Sequence, residues 1–277
     1  MNPADQKDQA LLDDIARARY EGRPRVWWLG QSGFLVYTTE ATILFDPYLS
    51  DSLSAKYAAT DKPHTRLTER VIDPALLTGI DVITSSHNHT DHLDAETLLP
   101  LLESNPEAKL VIARANRAFV LERLGAIESR LVEMDAGEQT TIGNVTLHGI
   151  PAAHNTVERA ENGCCKFLGF VAGTGGLTCY HSGDTMMHDA LISAIEPFRP
   201  DVAFVPINGY KPERRVAGNL DGREAAEVAR AIHARLAIPH HFDMFAFNTV
   251  SPDLFITECQ RLDQPFKVLK NGEGVDI

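Results

Sequence analysis

Three histidines and an aspartate fall within six residues, His87-Asn88-His89-Thr90-Asp91-His92, directly behind the short β-branched run Asp81-Val82-Ile83-Thr84. A run of that length and composition reads as a buried strand, so the six residues form the loop at its C-terminal end. Downstream, Leu93, Leu98, Leu101 and Leu102 recur at helical spacing through Glu103, with Asp94 as candidate N-cap and Glu96 in the first turn. Strand, ligand-rich loop and helix in succession restrict the chain to layered α/β architectures. Imidazole and carboxylate both suit borderline divalent metals. With 11 histidines in 277 residues, three at fixed offsets arise by chance at only about 6 in 100,000 start positions, which favours a metal site over a solvated loop. In an extended loop His87 and His89 share one side, whereas Asp91 and His92 lie beyond the turn and aim elsewhere. That geometry suits two neighbouring metals.

The rest of the chain repeats the alternation. Strand signals at Arg25 to Leu29, Gly33 to Tyr37 and Thr42 to Phe45 precede an irregular region from Tyr48 to Thr68. After the motif come a strand at Lys109 to Ile112 and a helix through Phe119 to Leu124. Strands at Val145 to Ile150, Phe167 to Val171 and Leu177 to Tyr180, a helix near Ala190 to Glu196, a strand at Val202 to Val205, a helix at Arg223 to His233, and Ala237-Ile238 follow, before a last helix and strand. Two halves of similar rhythm predict one α/β domain, residues 1–277, with two sheets face to face and helices outside.

Composition, 44% hydrophobic and 23% charged, is that of an ordinary soluble enzyme. No apolar run approaches membrane-span length, and Met1 to Tyr20 reads as an amphipathic surface helix instead of an export signal. Cys164, Cys165, Cys179 and Cys259 show no C-x-x-C spacing, which fits small buried hydrophobes in a reducing cytoplasm. A net charge of −12 argues against nucleic acid as a partner but leaves room for a small anionic substrate in a pocket with local cations. A homo-oligomer is left open.

His154, Asp184 and His241 each follow a strand-like run, where loops present functional groups. Singly each is weak. Joined to the motif, His87-x-His89-x-Asp91-His92, His154, Gly183-Asp184-Thr185 and His241 in Pro239-His240-His241-Phe242-Asp243 resemble the ordered ligand set of the metallo-β-lactamase superfamily. Trp28-Leu29-Gly30-Gln31-Ser32-Gly33-Phe34, Asp46-Pro47-Tyr48-Leu49-Ser50, Asn208-Gly209 and Ile238 to Phe245 further resemble its L-ascorbate-6-phosphate lactonase (UlaG-like) branch.

The resemblance implies a four-layer αβ/βα sandwich and one or two divalent ions, Zn or Mn, with Fe also admissible. It assigns His87, His89 and His154 to one metal and Asp91, His92 and His241 to a second, with Asp184 bridging. Asp91 and Asp184 also count as catalytic groups, Asp91 through proton transfer. The implied activity is a hydrolase in which metal-activated hydroxide opens a small sugar-acid lactone, phosphorylated or not. A metal-dependent phosphodiesterase and a non-catalytic metal-binding regulatory protein of the same fold are the alternatives. Asp46 is a candidate partner for the far nitrogen of a ligand histidine, against simple turn chemistry before Pro47. His240 should point away from His241. The locally basic segment Asn208 to Arg223 offers Arg214 and Arg215 as a phosphate clamp, with Asn208 or Asn219 orienting hydroxyls, unless these residues form a solvated loop and Asp221 caps the next helix.

Overall fold

β-Branched and aromatic residues dominate the first three strands, β1 (Arg25–Gly30), β2 (Gly33–Tyr37) and β3 (Thr42–Phe45), and their alternation sends apolar groups to both faces. Val26, Trp28, Phe34, Val36, Ile43 and Phe45 enter one core, while Trp27, Leu29, Leu35 and Leu44 enter another. A sheet buried on both faces needs a layer on each side. One layer is helical: α1 (Asp8–Glu21), α3 (Ala95–Ser104) and α4 (Arg117–Leu124) supply Leu11, Ile15, Leu98, Leu101 and Val120. Between α1 and α3 lie the short α2 (Ser52–Tyr57) and β4 (Val82–Ser85); β5 (Lys109–Ala113) precedes α4.

The other layer is a second sheet. The computed structural model describes residues 1–277 and continues through β6 (Leu131–Met134), β7 (Gln139–Ile142), β8 (Val145–Pro151), β9 (Leu168–Thr174), β10 (Leu177–His181), α5 (Leu191–Ile195), β11 (Val202–Pro206), α6 (Gly222–Ala231), β12 (Leu236–His240), α7 (Asp253–Arg261) and β13 (Gly274–Asp276). Strand order is β13-β1-β2-β3-β4-β5-β6 in one sheet and β12-β11-β10-β9-β8-β7 in the other. Each sheet joins an antiparallel half to a parallel half, the changeover falling at β3 and at β10. Phe34 of one sheet stacks on Phe204 of the other at 4.1 Å, and α5, α6 and α7 cover the outer face. The architecture is the four-layer αβ/βα sandwich.

Several local expectations shift. The N-terminal helix starts at Asp8, not at Met1, and α2 lies inside the region read as irregular. β6 and β7 were not expected: Gln139–Ile142 is polar and only half covered, so it lacks the apolar run that marks a strand. Asp94 occupies the N-cap position of α3, but its carboxylate accepts from the Ser52 and Thr97 hydroxyls. At α6 the capping alternative holds, with a reciprocal capping box between Asp221 and Glu224. All four cysteines are buried thiols, and no helix is long and apolar enough to cross a membrane.

Asp14 fastens α1 to the sheet. Its side chain, 4% exposed, accepts from Trp27 Nε1 at 2.8 Å, Gln6 Nε2 at 3.0 Å and Arg25 Nε at 3.2 Å. Burial opposes its charge, yet the bonds from Trp27, Gln6 and Arg17 outweigh burial and bring its pKa down to about 2. A folded-state pKa below the unfolded value gives stability that is present above about pH 4 and lost as pH falls towards 2. Asp14→Asn should therefore cost about 1–2 kcal/mol at pH 7. In urea melts of chelator-treated protein the gap to wild type should narrow below pH 4, and a pH-independent gap would contradict this account.

Candidate metal centre

Four strand ends meet at one edge of the sandwich. The loop after β4 carries His87 to His92, and backbone bonds from His92 and Leu93 to the His89 carbonyl wind it into a single turn. The segments after β8, β10 and β12 bring His154, Asp184 and His241. Behind Asp184, Gly183 has φ +58°, and a Cβ there would stand 2.6 Å from the Leu168 carbonyl oxygen and 2.7 Å from Ser86 Cβ. Only glycine lets the two ligand loops approach this closely.

The structure places donor atoms of His87, His89, His154 and Asp184 in one group and those of Asp91, His92 and His241 in another, each within 4.8 Å. Asp184 sits between them. Its Oδ1 lies 3.3 Å from His92 Nε2, and its Oδ2 lies 3.5 Å from His154 Nε2 and 3.3 Å from His241 Nε2. Asp91 Oδ2 lies 3.6 Å from His241 Nε2 and 3.8 Å from His92 Nε2. Two ligands about 2.0–2.1 Å from one tetrahedral ion stand ~3.4 Å apart, so these separations suit shared coordination. His87 Nε2, His92 Nε2 and Asp184 Oδ1 are buried with no hydrogen-bond partner in the protein. Three orphaned polar atoms in two adjoining ligand groups are a large cost for a fold to carry without a ligand, and the donor set fits a divalent metal.

The far nitrogens of His87, His92 and His154 are held. His92 Nδ1 donates to Asp46 Oδ2 at 2.7 Å, and His154 Nδ1 to the Gly218 carbonyl at 2.7 Å. Ser86 Oγ donates to Asp46 and lies 3.0 Å from His87 Nδ1, from which it can accept. Each bond fixes the tautomer that turns Nε2 towards the centre. Asp46 is fully buried and also accepts from Thr84 Oγ1 at 2.7 Å and from the Ser86 amide. It therefore does more than turn chemistry. His240 faces Ser182 at 3.1 Å, outside both ligand groups.

Protonation separates the two groups. Burial, reinforced by the neighbouring His92 and His89 and only partly opposed by Asp184, pushes His87 well below the ordinary histidine range. Burial works the same way on His92, but Asp184 and Asp91 outweigh it and raise His92 well above that range; Asp184 and Asp91 likewise raise His241. Burial opposes the Asp184 charge, and His241 and His92 reverse it, holding Asp184 well below the usual carboxylate range. Without a metal the two carboxylates favour protons on His92 and His241, and metal binding at that group competes with them.

A cavity of about 560 Å³ opens over the centre, lined by Asp91, Asn208, Arg215 and Asn219 among others. Arg214 is a correction. It is 8% exposed and turned away, donating to the Asn208 carbonyl at 2.6 Å, Asn248 Oδ1 at 3.1 Å and the Thr249 carbonyl at 2.9 Å. Those buried acceptors need a donor, and the guanidinium supplies it. Arg215 faces the cavity mouth but pairs with Asp61 at 2.7 Å, so no two-arginine phosphate clamp exists. Asn208 and Asn219 bond each other, leaving Asn219 Oδ1 without a partner.

Sequence reasoning gave Gln31 no role. Its Nε2 donates to Asp91 Oδ2 at 2.8 Å and lies 3.1 Å from His241 Nε2, while its carbonyl accepts from Trp28 Nε1 and the His241 amide. Gln31 has φ +49°, and Asp46 (+38°), His241 (+61°) and Asp243 (+55°) share this left-handed region. Backbone strain thus concentrates around the centre. The only available signal was Gln31's place in the Trp28 to Phe34 motif.

A family model described as the beta-lactamase superfamily domain matches residues 41–242, a span that holds Asp46 and all seven candidate ligands. A "UPF0173 metal-dependent hydrolase" of Myxococcus xanthus is 26% identical over 280 residues, covering 98% of this chain and 88% of its own. Among solved structures, Igni18, a metallo hydrolase from Ignicoccus hospitalis, superposes with TM-score 0.67 at 18% identity over 92% of this chain and 98% of its own. An isothiocyanate hydrolase from Delia radicum gut bacteria superposes with TM-score 0.72 at 13% identity, covering 91% and 99%. At these identities the structures speak for the fold alone.

Proposed function

The chain belongs to the beta-lactamase superfamily, and from that membership we propose that it is a metal-dependent hydrolase whose substrate is the lactone of a small acid. The observation that carries the hydrolase reading is that His87 Nε2, His92 Nε2 and Asp184 Oδ1 are buried and unpartnered directly behind an open cavity lined by His89, Asp91, His154, Asp184 and His241. Support for a lactone comes from the likeness of the Trp28 to Phe34 and Asp46 to Ser50 motifs to the lactonase branch; both motifs contribute groups to the centre, Gln31 and Asp46.

His87, His89 and His154 would hold one ion and Asp91, His92 and His241 the other, with Asp184 common to both. A divalent ion held there supplies Lewis acidity towards a carbonyl oxygen and lowers the pKa of water. The chain's own groups do the rest. Phe167 packs against the rings of His87, His89 and His154 and keeps water from that side. Asp91, with 17% of its side chain exposed against 3% for Asp184, is the more accessible of the two carboxylates that line the cavity, and Gln31 holds its Oδ2. Its orientation suits it to take a proton from water and pass it to the departing alcohol oxygen.

Hydrolysis should vanish on chelation and return with Zn or Mn. The test is a panel of lactones and phosphodiesters assayed at full and at zero metal occupancy. Turnover of phosphodiesters without lactones would replace the lactone reading; no turnover of either at full occupancy would remove the enzyme reading.

A further inference from the structure

Beyond the ligands the cavity wall changes character. Tyr57 at the end of α2, His64 in the loop that follows, and Phe245 and Phe247 in the loop after β12 form an aromatic cluster. Tyr57 stacks on His64 at 4.1 Å with 17° between planes, Phe247 lies 4.3 Å from His64, and Phe245 meets His64 edge-on at 5.3 Å. His64 Nδ1 donates to the Lys62 carbonyl at 3.1 Å, which fixes the ring in the stack. These rings pack with Leu53 and Tyr48 in a satellite cluster separate from both main cores. The fold therefore does not use them to close its layers, and Tyr57 and Phe247 stay half-buried on the cavity wall.

Three cations edge the same wall. Lys56 stands 5.2 Å over the Tyr57 ring and Lys62 5.3 Å over the Phe247 ring, and Arg215 is paired only with Asp61, 75% exposed, a contact that water screens and a ligand can displace. In a chain of net charge −12 this local arrangement selects for an anion beside a flat apolar surface.

We propose that the substrate carries, next to the bond that is broken, a flat apolar group, aromatic in the best substrates, together with a carboxylate. The Tyr57–His64–Phe247 wall takes the flat group and Arg215 with Lys56 takes the carboxylate. This rests on the hydrolase reading and narrows its substrate. Sugar hydroxyls placed against these rings would lose water without gaining hydrogen bonds, whereas an aromatic ring gains area and stacking.

The test uses calorimetric titration of the metal-loaded protein with 3-phenylpropionate and with gluconate, beside hydrolysis of dihydrocoumarin and glucono-δ-lactone. 3-Phenylpropionate should bind about tenfold more tightly than gluconate. Phe247→Ala should erase most of that difference with metal content unchanged, and Phe247→Tyr should keep it. Arg215→Gln should weaken 3-phenylpropionate while leaving the neutral 3-phenylpropanol unaffected. Equal binding of the two acids, or a Phe247→Ala protein of normal metal content that keeps the preference, overturns the proposal; if the alanine variant does not fold, Phe247→Leu, which keeps apolar bulk without a ring, takes its place, and a preference retained there overturns the proposal equally. Retained binding preference without turnover of any lactone would remove the lactone reading alone. Turnover of both lactones at equal rates without a binding preference would remove the aromatic wall alone.

Discussion

Asp184→Ala should lower metal affinity more than ~100-fold and take hydrolysis to background while leaving the fold intact. The loss exceeds the about 10–100-fold that follows removal of a partner one bond further from a metal, because Asp184 itself offers donor atoms to both groups. Its two oxygens stand 3.3 to 3.5 Å from the Nε2 atoms of His92, His154 and His241. Without it neither group keeps a carboxylate shared with the other, and the cations that would occupy them lose the charge that offsets their repulsion. Stability of the metal-free protein should change less than metal affinity, since Asp91 still faces His92 and His241 and Asp46 still accepts from His92 once the Asp184 charge is gone. Elemental analysis after dialysis, with circular dichroism as the folding control, measures both. Wild-type metal stoichiometry in a folded variant would end the bridging role.

Asp46→Ala should combine a metal defect with a stability defect. Asp46 is completely buried and accepts from His92, Ser86 and Thr84, so its loss strands several donors in a dry environment. Burial opposes its charge, but the His92 bond outweighs that and holds the carboxyl below its usual range. Removing one partner of a buried charged pair costs about 3–5 kcal/mol, which denaturant melts of chelator-treated protein would show directly. Metal affinity should also fall about 10–100-fold, because His92 loses the bond that fixes its ring. The two variants thus have different signatures: Asp184 governs metal more than folding, and Asp46 governs both. A stable Asp46→Ala protein with unchanged affinity in a chelator competition would show that the Ser86 and Thr84 hydroxyls alone orient the ring.

How much of this was legible in the chain depended on sequence distance. His87 to His92 could be read because four donors lie in one loop behind a recognisable strand. His154, Asp184 and His241 carried no local signal of comparable strength; they lie three, three and one residues past the ends of ordinary strands, and only likeness to a family joined them. The four-layer fold was legible because both sheets have β-branched strands separated by helical periodicity. Polar, half-covered β7 was not. Arg214 misled because composition counts a cation without showing which way it turns, and here two backbone carbonyls claimed it. The aromatic wall was invisible for the opposite reason: Tyr57, His64 and Phe247 come from segments nearly two hundred residues apart, and isolated aromatics read as core.

His154 ties the metal centre to the segment that borders the cavity. One ring nitrogen faces Asp184, the other donates to the Gly218 carbonyl, and the Gly218 amide donates to Asn155 Oδ1 at 3.0 Å. A single rigid imidazole is therefore a lever with its two ends in different compartments. Whatever presses on residues 215–219 from the cavity side leans on a metal ligand, and whatever fills the ligand side stiffens the cavity rim. Thermodynamic reciprocity makes the two effects equal in free energy. Filling the cavity against residues 215–219 should therefore change metal affinity, and metal should change the affinity of whatever fills the cavity, by the same factor.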